Sequence, residues 1–206
     1  MKAPEQHKFS MLREFTKFSH RDELLTESDR SAMEKTGVLI LAGVGQRANA
    51  INHNGREYPK HLLMREGDNY QKLIRERRSL GCLDHPDNTI IELQEASHLI
   101  TELWWKDNEM MVKVEILNTP KGNILRSLYE QRVPWGLSTR GLGSVTEGNG
   151  RVMVNDDYNL ICFDAVSDPS THNAFMNQTI SESAVRGMIT KADRINRLMN
   201  DILRRQ

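Results

Sequence analysis

Cysteine is scarce in this chain, with two residues, Cys82 and Cys162, in 206. Two are too few for a disulfide framework, so the fold must rest on an ordinary core, and reduced thiols in a cytoplasmic compartment are expected. Surplus charge is absent as well: 28 Lys and Arg balance 28 Asp and Glu. That removes any global electrostatic case for direct nucleic-acid binding or for a membrane surface. No apolar run approaches the length that spans a bilayer. Met1 to Lys17 mixes polar and charged residues and lacks the apolar stretch of a secretory signal. Cys82 and His85 could share a metal. However, no second Cys or His cluster has ligand spacing and no His-Glu-x-x-His run occurs, so no metal or cofactor is expected.

What is present is an ordinary globular mixture, 38% apolar and 27% charged, enough for one sizeable core. Residues 1–36 are polar with weak periodicity. Met11, Leu12, Phe15 and Phe18 would make one face of a short helix, and the alternative is a mobile arm. Val38 to Gly43 reads as a buried strand. Asn52-His53-Asn54-Gly55 is a turn, because Asn and Gly tolerate positive φ. Tyr58-Pro59 opens a helix running toward Leu80, with Gly67 as a break and Gly81 as a stop. Strands are expected at Ile90 to Glu92, His98 to Trp105 and Met110 to Leu117, with a hairpin at Asp107-Asn108. A helix follows over Asn123 to Gln131, then a strand from Val133 to Thr139. Gly141, Gly143, Gly148 and Gly150 mark a loop and hairpin, and Tyr158 to Val166 is a strand. Ser181 to Arg205 carries a heptad stripe (Val185, Met188, Ala192, Ile195, Met199, Ile202). It suits a helix that docks on its own domain or on a partner.

Three segments could carry chemistry. Leu83-Asp84-His85-Pro86 places a histidine in a loop, where it is either a structural side chain or a general base. Gly136-Leu137-Ser138-Thr139-Arg140-Gly141-Leu142-Gly143 places a hydroxyl among glycines. That is either a Gly-rich hairpin or an acyl-transfer site whose amides meet an oxyanion. The lysine and helix of a P-loop are missing. Asp164 sits in the apolar strand Leu160 to Val166, where a carboxylate is costly unless paired. It either bonds nearby backbone or holds one nitrogen of His85, freeing the other to deprotonate Ser138.

Together these segments resemble the prohead core serine proteases of tailed phages, most closely the T4-like type. The resemblance runs from about Gly37 to Ser170. It is carried by Asn54-Gly55-Arg56 with Tyr58-Pro59-Lys60, by Gly81 with Asp84-His85-Pro86, by Ser138 to Gly143, and by Phe163-Asp164-Ala165-Val166 with Asp168-Pro169-Ser170. It implies an α+β fold like that of herpesvirus assemblin: a closed or nearly closed β-barrel core surrounded by helices, here with a C-terminal helical tail. The domains would be a 1–36 arm or propeptide, a 37–170 protease domain and a 171–206 linker and helix. It implies Ser138 as nucleophile, His85 as base and Asp164 as third member, with Asp168, Glu147 and Asp84 as rivals. Backbone amides around Arg140 and Gly141 would hold the oxyanion.

The resemblance further implies cleavage after Glu, with Arg140, Arg151 or Lys113 supplying a basic pocket. Self-cleavage is expected after Glu27 and Glu182, since Leu25-Thr26-Glu27-Ser28 and Ile180-Ser181-Glu182-Ser183 fit the pattern, as does Leu93-Gln94-Glu95-Ala96. The expected partners are capsid and scaffold precursors inside the assembling prohead in the host cytoplasm, and a second copy through the C-terminal helix. The competing reading is a non-catalytic scaffold or assembly-binding protein.

Overall fold

The computed structural model describes residues 9–86, 89–148 and 150–167. Three helices and ten strands follow one another in this span. The strands are β1 (Ser10–Lys17), β2 (Leu39–Arg47), β3 (Arg56–Glu57), β4 (Leu80–Cys82), β5 (Ala96–Lys106), β6 (Glu109–Ile116), β7 (Trp135–Gly143), β8 (Val145–Gly148), β9 (Arg151–Val154) and β10 (Asn159–Ser167). The helices are α1 (Glu27–Thr36), α2 (Lys60–Arg75) and α3 (Pro120–Glu130).

The strands pair in three sheets, ordered β1-β7-β10, β2-β6-β5-β4 and β3-β9-β8. Antiparallel neighbours dominate, and β3–β9 is a parallel pair. Among the described residues no ladder closes the sheets into the expected barrel. Instead Leu83, just after β4, meets Ala165 of β10 through an isolated bridge. Bulges at Val44/Gln46, Ile100/Glu102 and Leu160/Cys162 bend the strands, so the sheets fold over a shared core without continuous pairing. That core includes Leu12, Leu41, Leu62, Tyr70, Ile100, Val114, Leu137 and Phe163. The C-terminal helical tail expected from the sequence falls on residues outside those described.

Local chemistry explains where the elements start and stop. Thr26 caps α1 by a reciprocal box with Asp29, satisfying two orphan amides. Thr119 caps α3 by accepting from the Gly122 amide. Asp107 takes positive φ (52°) at the β5–β6 hairpin.

Several expectations are corrected. Residues 10–17 are neither helix nor arm: Ser10–Lys17 pairs along its whole length with β7. Its buried side chains alternate as Leu12, Glu14 and Thr16, and a buried glutamate hides a strand from a reading of hydropathy. α2 passes through Gly67 unbroken because Gly67 is a contact point. A Cβ there would sit 3.2 Å from Leu103. The helix ends at Arg75, and Arg77 takes the left-handed turn (φ 52°). Gly81 lies instead within β4, where a Cβ would fall on the Phe163 carbonyl and the His98 ring. Ile90 to Glu92 is no strand, and Ile90 is exposed. Gly141 and Gly143 belong to β7 itself.

Candidate active site

β7 is the middle strand of its sheet, and its side chains alternate between two faces. The register puts Ser138 opposite Phe15 of β1 and Asp164 of β10, and Arg140 opposite Arg13 and Cys162. These residues share one face. Thr139 faces the other way, opposite Glu14 and Phe163. Hydroxyl and carboxylate are therefore brought side by side by sheet pairing alone.

His85 arrives from the loop after β4. Asp84 adopts φ 62° and its amide donates to the Ala165 carbonyl at 2.8 Å. Asp is among the residues that tolerate that conformation, and the turn swings His85 over β7. The ring then bridges the pair, with Nε2 2.7 Å from Ser138 Oγ and Nδ1 2.8 Å from Asp164 Oδ2. An ionised carboxylate only accepts, so Nδ1 carries the proton and Nε2 presents its lone pair to the hydroxyl. Ser138 is 2% exposed, and the His85 side chain is 19% exposed. The imidazole is the most exposed of the three side chains, and Asp164 has no exposure.

Asp164 is fully buried. Burial pushes its carboxyl up. The His85 hydrogen bond, the Arg140 charge and the Cys82 amide outweigh that and hold it below the usual range. The Cys82 amide donates to Oδ1 at 3.1 Å, Arg140 Nη2 donates to Oδ1 at 3.2 Å and Arg140 Nε lies 2.9 Å from Oδ2. Both cysteines flank the guanidinium, with Cys162 Sγ at 3.1 Å and Cys82 Sγ at 3.7 Å. They are free and buried. Burial pushes the Cys82 thiol up to about 11, so it stays protonated. An ionised hydrogen-bond chain of this kind lowers the cost of removing a proton from a serine hydroxyl.

The structure corrects the expectations for the surrounding residues. The Arg140 side chain has no exposure, so it meets Asp164 and not a substrate. The backbone at Arg140 and Gly141 runs between two paired neighbours, Arg13 and Cys162 for the first, Leu12 and Leu160 for the second. The β10 register shifts between Leu160 and Cys162, directly opposite these two residues, and a bulge locally interrupts a ladder. Gly141 is also a close-contact point: a Cβ there would strike the Tyr158 ring. Lys113 is 2% exposed and held by Glu102 (2.6 Å) and Asp29 (2.8 Å). Arg151 is on β9, ion-paired with Glu57 at 3.2 Å. All three cations are thus ion-paired with carboxylates of the chain itself.

Among the rivals for the acid, Glu147 is exposed on β8. The His85 nitrogen that Asp84 would need is taken by Asp164. Asp168 and Glu182 lie outside the described residues. Glu27 is exposed and begins α1. Reading the sequence missed Arg13, whose Nη2 donates to the Pro86 carbonyl at 3.0 Å, and Glu14. An alternation of Leu12, Glu14 and Thr16 was the signal for both.

A serine hydroxyl, an imidazole and a buried carboxylate in series, set on a mixed α/β scaffold, define the class of the serine hydrolases. The chain belongs to the prohead core protein serine protease family, whose pattern matches residues 22–185. It is 31% identical over 161 residues to the prohead core protein protease of Enterobacteria phage T4, covering 75% of this chain and 76% of that protein. Its fold is similar to the solved structure of the bacteriophage T4 capsid assembly protease. The TM-score is 0.65 at 24% identity, over 79% of this chain and 99% of the other.

Proposed function

We propose that Ser138 is the nucleophile of this capsid-maturation protease, His85 its general base and Asp164 the group that orients His85 and stabilises the imidazolium formed when it takes the serine proton. The observation that carries the reading is the unbroken relay Ser138 Oγ–His85 Nε2 (2.7 Å) and His85 Nδ1–Asp164 Oδ2 (2.8 Å), built from three separated segments. Ser138 attacks the scissile carbonyl as His85 takes its proton. His85 then protonates the leaving amine, and water hydrolyses the acyl-enzyme with His85 again as base.

The substrates in this reading are scaffold and capsid precursors, cut after Glu inside the assembling prohead in the host cytoplasm. The chain also cuts itself after Glu27 and Glu182. The domain division beyond residue 170 and self-association through the C-terminal helix belong to the same reading. Kinship with herpesvirus assemblin also belongs to it.

The test is to incubate a scaffold or capsid precursor with the protein and with its Ser138→Ala variant. The native chain should yield fragments, and the variant should yield them at least about 1,000-fold more slowly. The variant should keep its Tm within about 2 °C, since it loses one hydroxyl. Equal cleavage by both would overturn the assignment.

A further inference from the structure

The first family signature, Asn54-Gly55-Arg56 with Tyr58, does not lie at Ser138. It surrounds Glu14, a fully buried carboxylate on β1. Asn52 Nδ2 donates to Glu14 at 2.6 Å, Asn54 Nδ2 at 2.7 Å, Arg56 Nη1 at 2.8 Å and Tyr58 OH at 2.8 Å. Asn54 also donates to the Arg13 carbonyl at 2.8 Å. Four donors on one carboxylate make a strong anchor in a low-dielectric setting. What they anchor is the strand beside the nucleophile.

On the opposite face of β1, the neighbours of Glu14 reach the site. Phe15 stands across from Ser138 and packs on Gly136, where a Cβ would strike its ring. Arg13 Nη2 reaches the Pro86 carbonyl, one residue beyond His85. The loop is pinned before His85 by the Leu83 and Asp84 amides, and Arg13 holds it after His85.

We propose that β1 is a working part of the active site and not a removable propeptide, with Arg13 the positioning residue that holds His85 in reach of Ser138. This rests on the Ser138–His85 reading above. Loss of residues 9–17 would strip Leu12 from the core and leave the donors of Asn52, Asn54, Arg56 and Tyr58 without their acceptor. A chain cut after Glu27 therefore keeps the N-terminal fragment bound, or it is inactive.

The test uses the full chain and a fluorophosphonate, which phosphonylates an activated serine hydroxyl with release of fluoride and needs no known substrate. Arg13→Met keeps the stem and removes the donor. Its labelling should slow about 100-fold, the scale of a misplacement near 1 Å. Arg13→Lys should recover part of that rate, because an ammonium can still donate to a carbonyl. Native mass spectrometry of labelled wild-type protein should find residues 9–17 in every labelled particle, joined or bound as a fragment. Labelling of Arg13→Met at the wild-type rate, or a labelled particle lacking residues 9–17, would overturn the proposal. Ser138→Ala should not label. If it does, the reading beneath the proposal fails too, which is a distinct result.

Discussion

Replacing Arg140 by Met is the sharpest probe of the site, because its two possible roles predict opposite signatures. The guanidinium is fully buried and meets both oxygens of Asp164. Methionine keeps much of the volume but leaves a buried carboxylate with less compensation. Breaking a buried pair from one side costs about 3–5 kcal/mol. For a chain of this size that is a fall in Tm of roughly 6–20 °C. The pH dependence follows from the same contact. A carboxyl held below its unfolded value contributes stability above that value and loses it as pH falls through the folded one. In Arg140→Met burial is opposed by His85 and the Cys82 amide without the guanidinium, so the Asp164 carboxyl rises and the acid loss of stability begins at higher pH. Differential scanning calorimetry between pH 4 and 8 reads both effects. An unchanged Tm with a large loss of fluorophosphonate labelling would refute this reasoning, and would return Arg140 to the oxyanion or substrate role.

Two further outcomes are expected. His98 is buried; its Nε2–H donates to the Phe163 carbonyl at 3.0 Å and its Nδ1 accepts from the Ser97 hydroxyl at 2.9 Å. Burial pushes its pKa down to about 4. The unfolded chain then binds the extra proton between about 6.5 and 4, so stability falls by about 3 kcal/mol as pH drops through that window. His98→Gln should flatten the slope in urea titrations, and an unaltered slope would assign it elsewhere. Gly141→Ala drives a methyl into the Tyr158 ring. Overpacking of this kind costs about 1–3 kcal/mol, which lowers Tm by roughly 2–12 °C. A normal Tm with activity lost would put the Gly141 backbone at the reaction centre instead.

Much of the scaffold was legible because period and turn chemistry agree with tertiary packing. Val38 to Gly43, Met110 to Leu117 and Tyr158 to Val166 are apolar runs that the core encloses, and Asp107-Asn108 is a hairpin in both readings. Ser138, His85 and Asp164 were named from the sequence by complementary chemistry together with the family resemblance, and the structure brings them into contact. The illegible parts have two physical causes, a buried charge and a glycine used for close packing. Glu14 broke the apolar alternation that would have announced β1. Arg140, one of three candidates for a substrate pocket in the sequence, is turned inward because Asp164 is there to meet it. Gly67 and Gly81 were read as helix breakers when their small size serves contacts with distant strands.

The strand that bears Ser138 is thus held from both faces by buried ions. On one face Arg140 and Asp164 are in contact, and on the other Glu14 of the adjoining strand lies opposite Thr139 and pairs with Arg56. Neither pair is an efficient way to gain net stability, since desolvation consumes most of the attraction. Each is directional, however, and a slip of one residue in β1 or β10 would turn Glu14 or Asp164 to the wrong face. The register that places Ser138 beside Asp164 is the same register that keeps both acids paired. Mispaired sheets are therefore penalised by two buried acids, of which the relay uses one, Asp164.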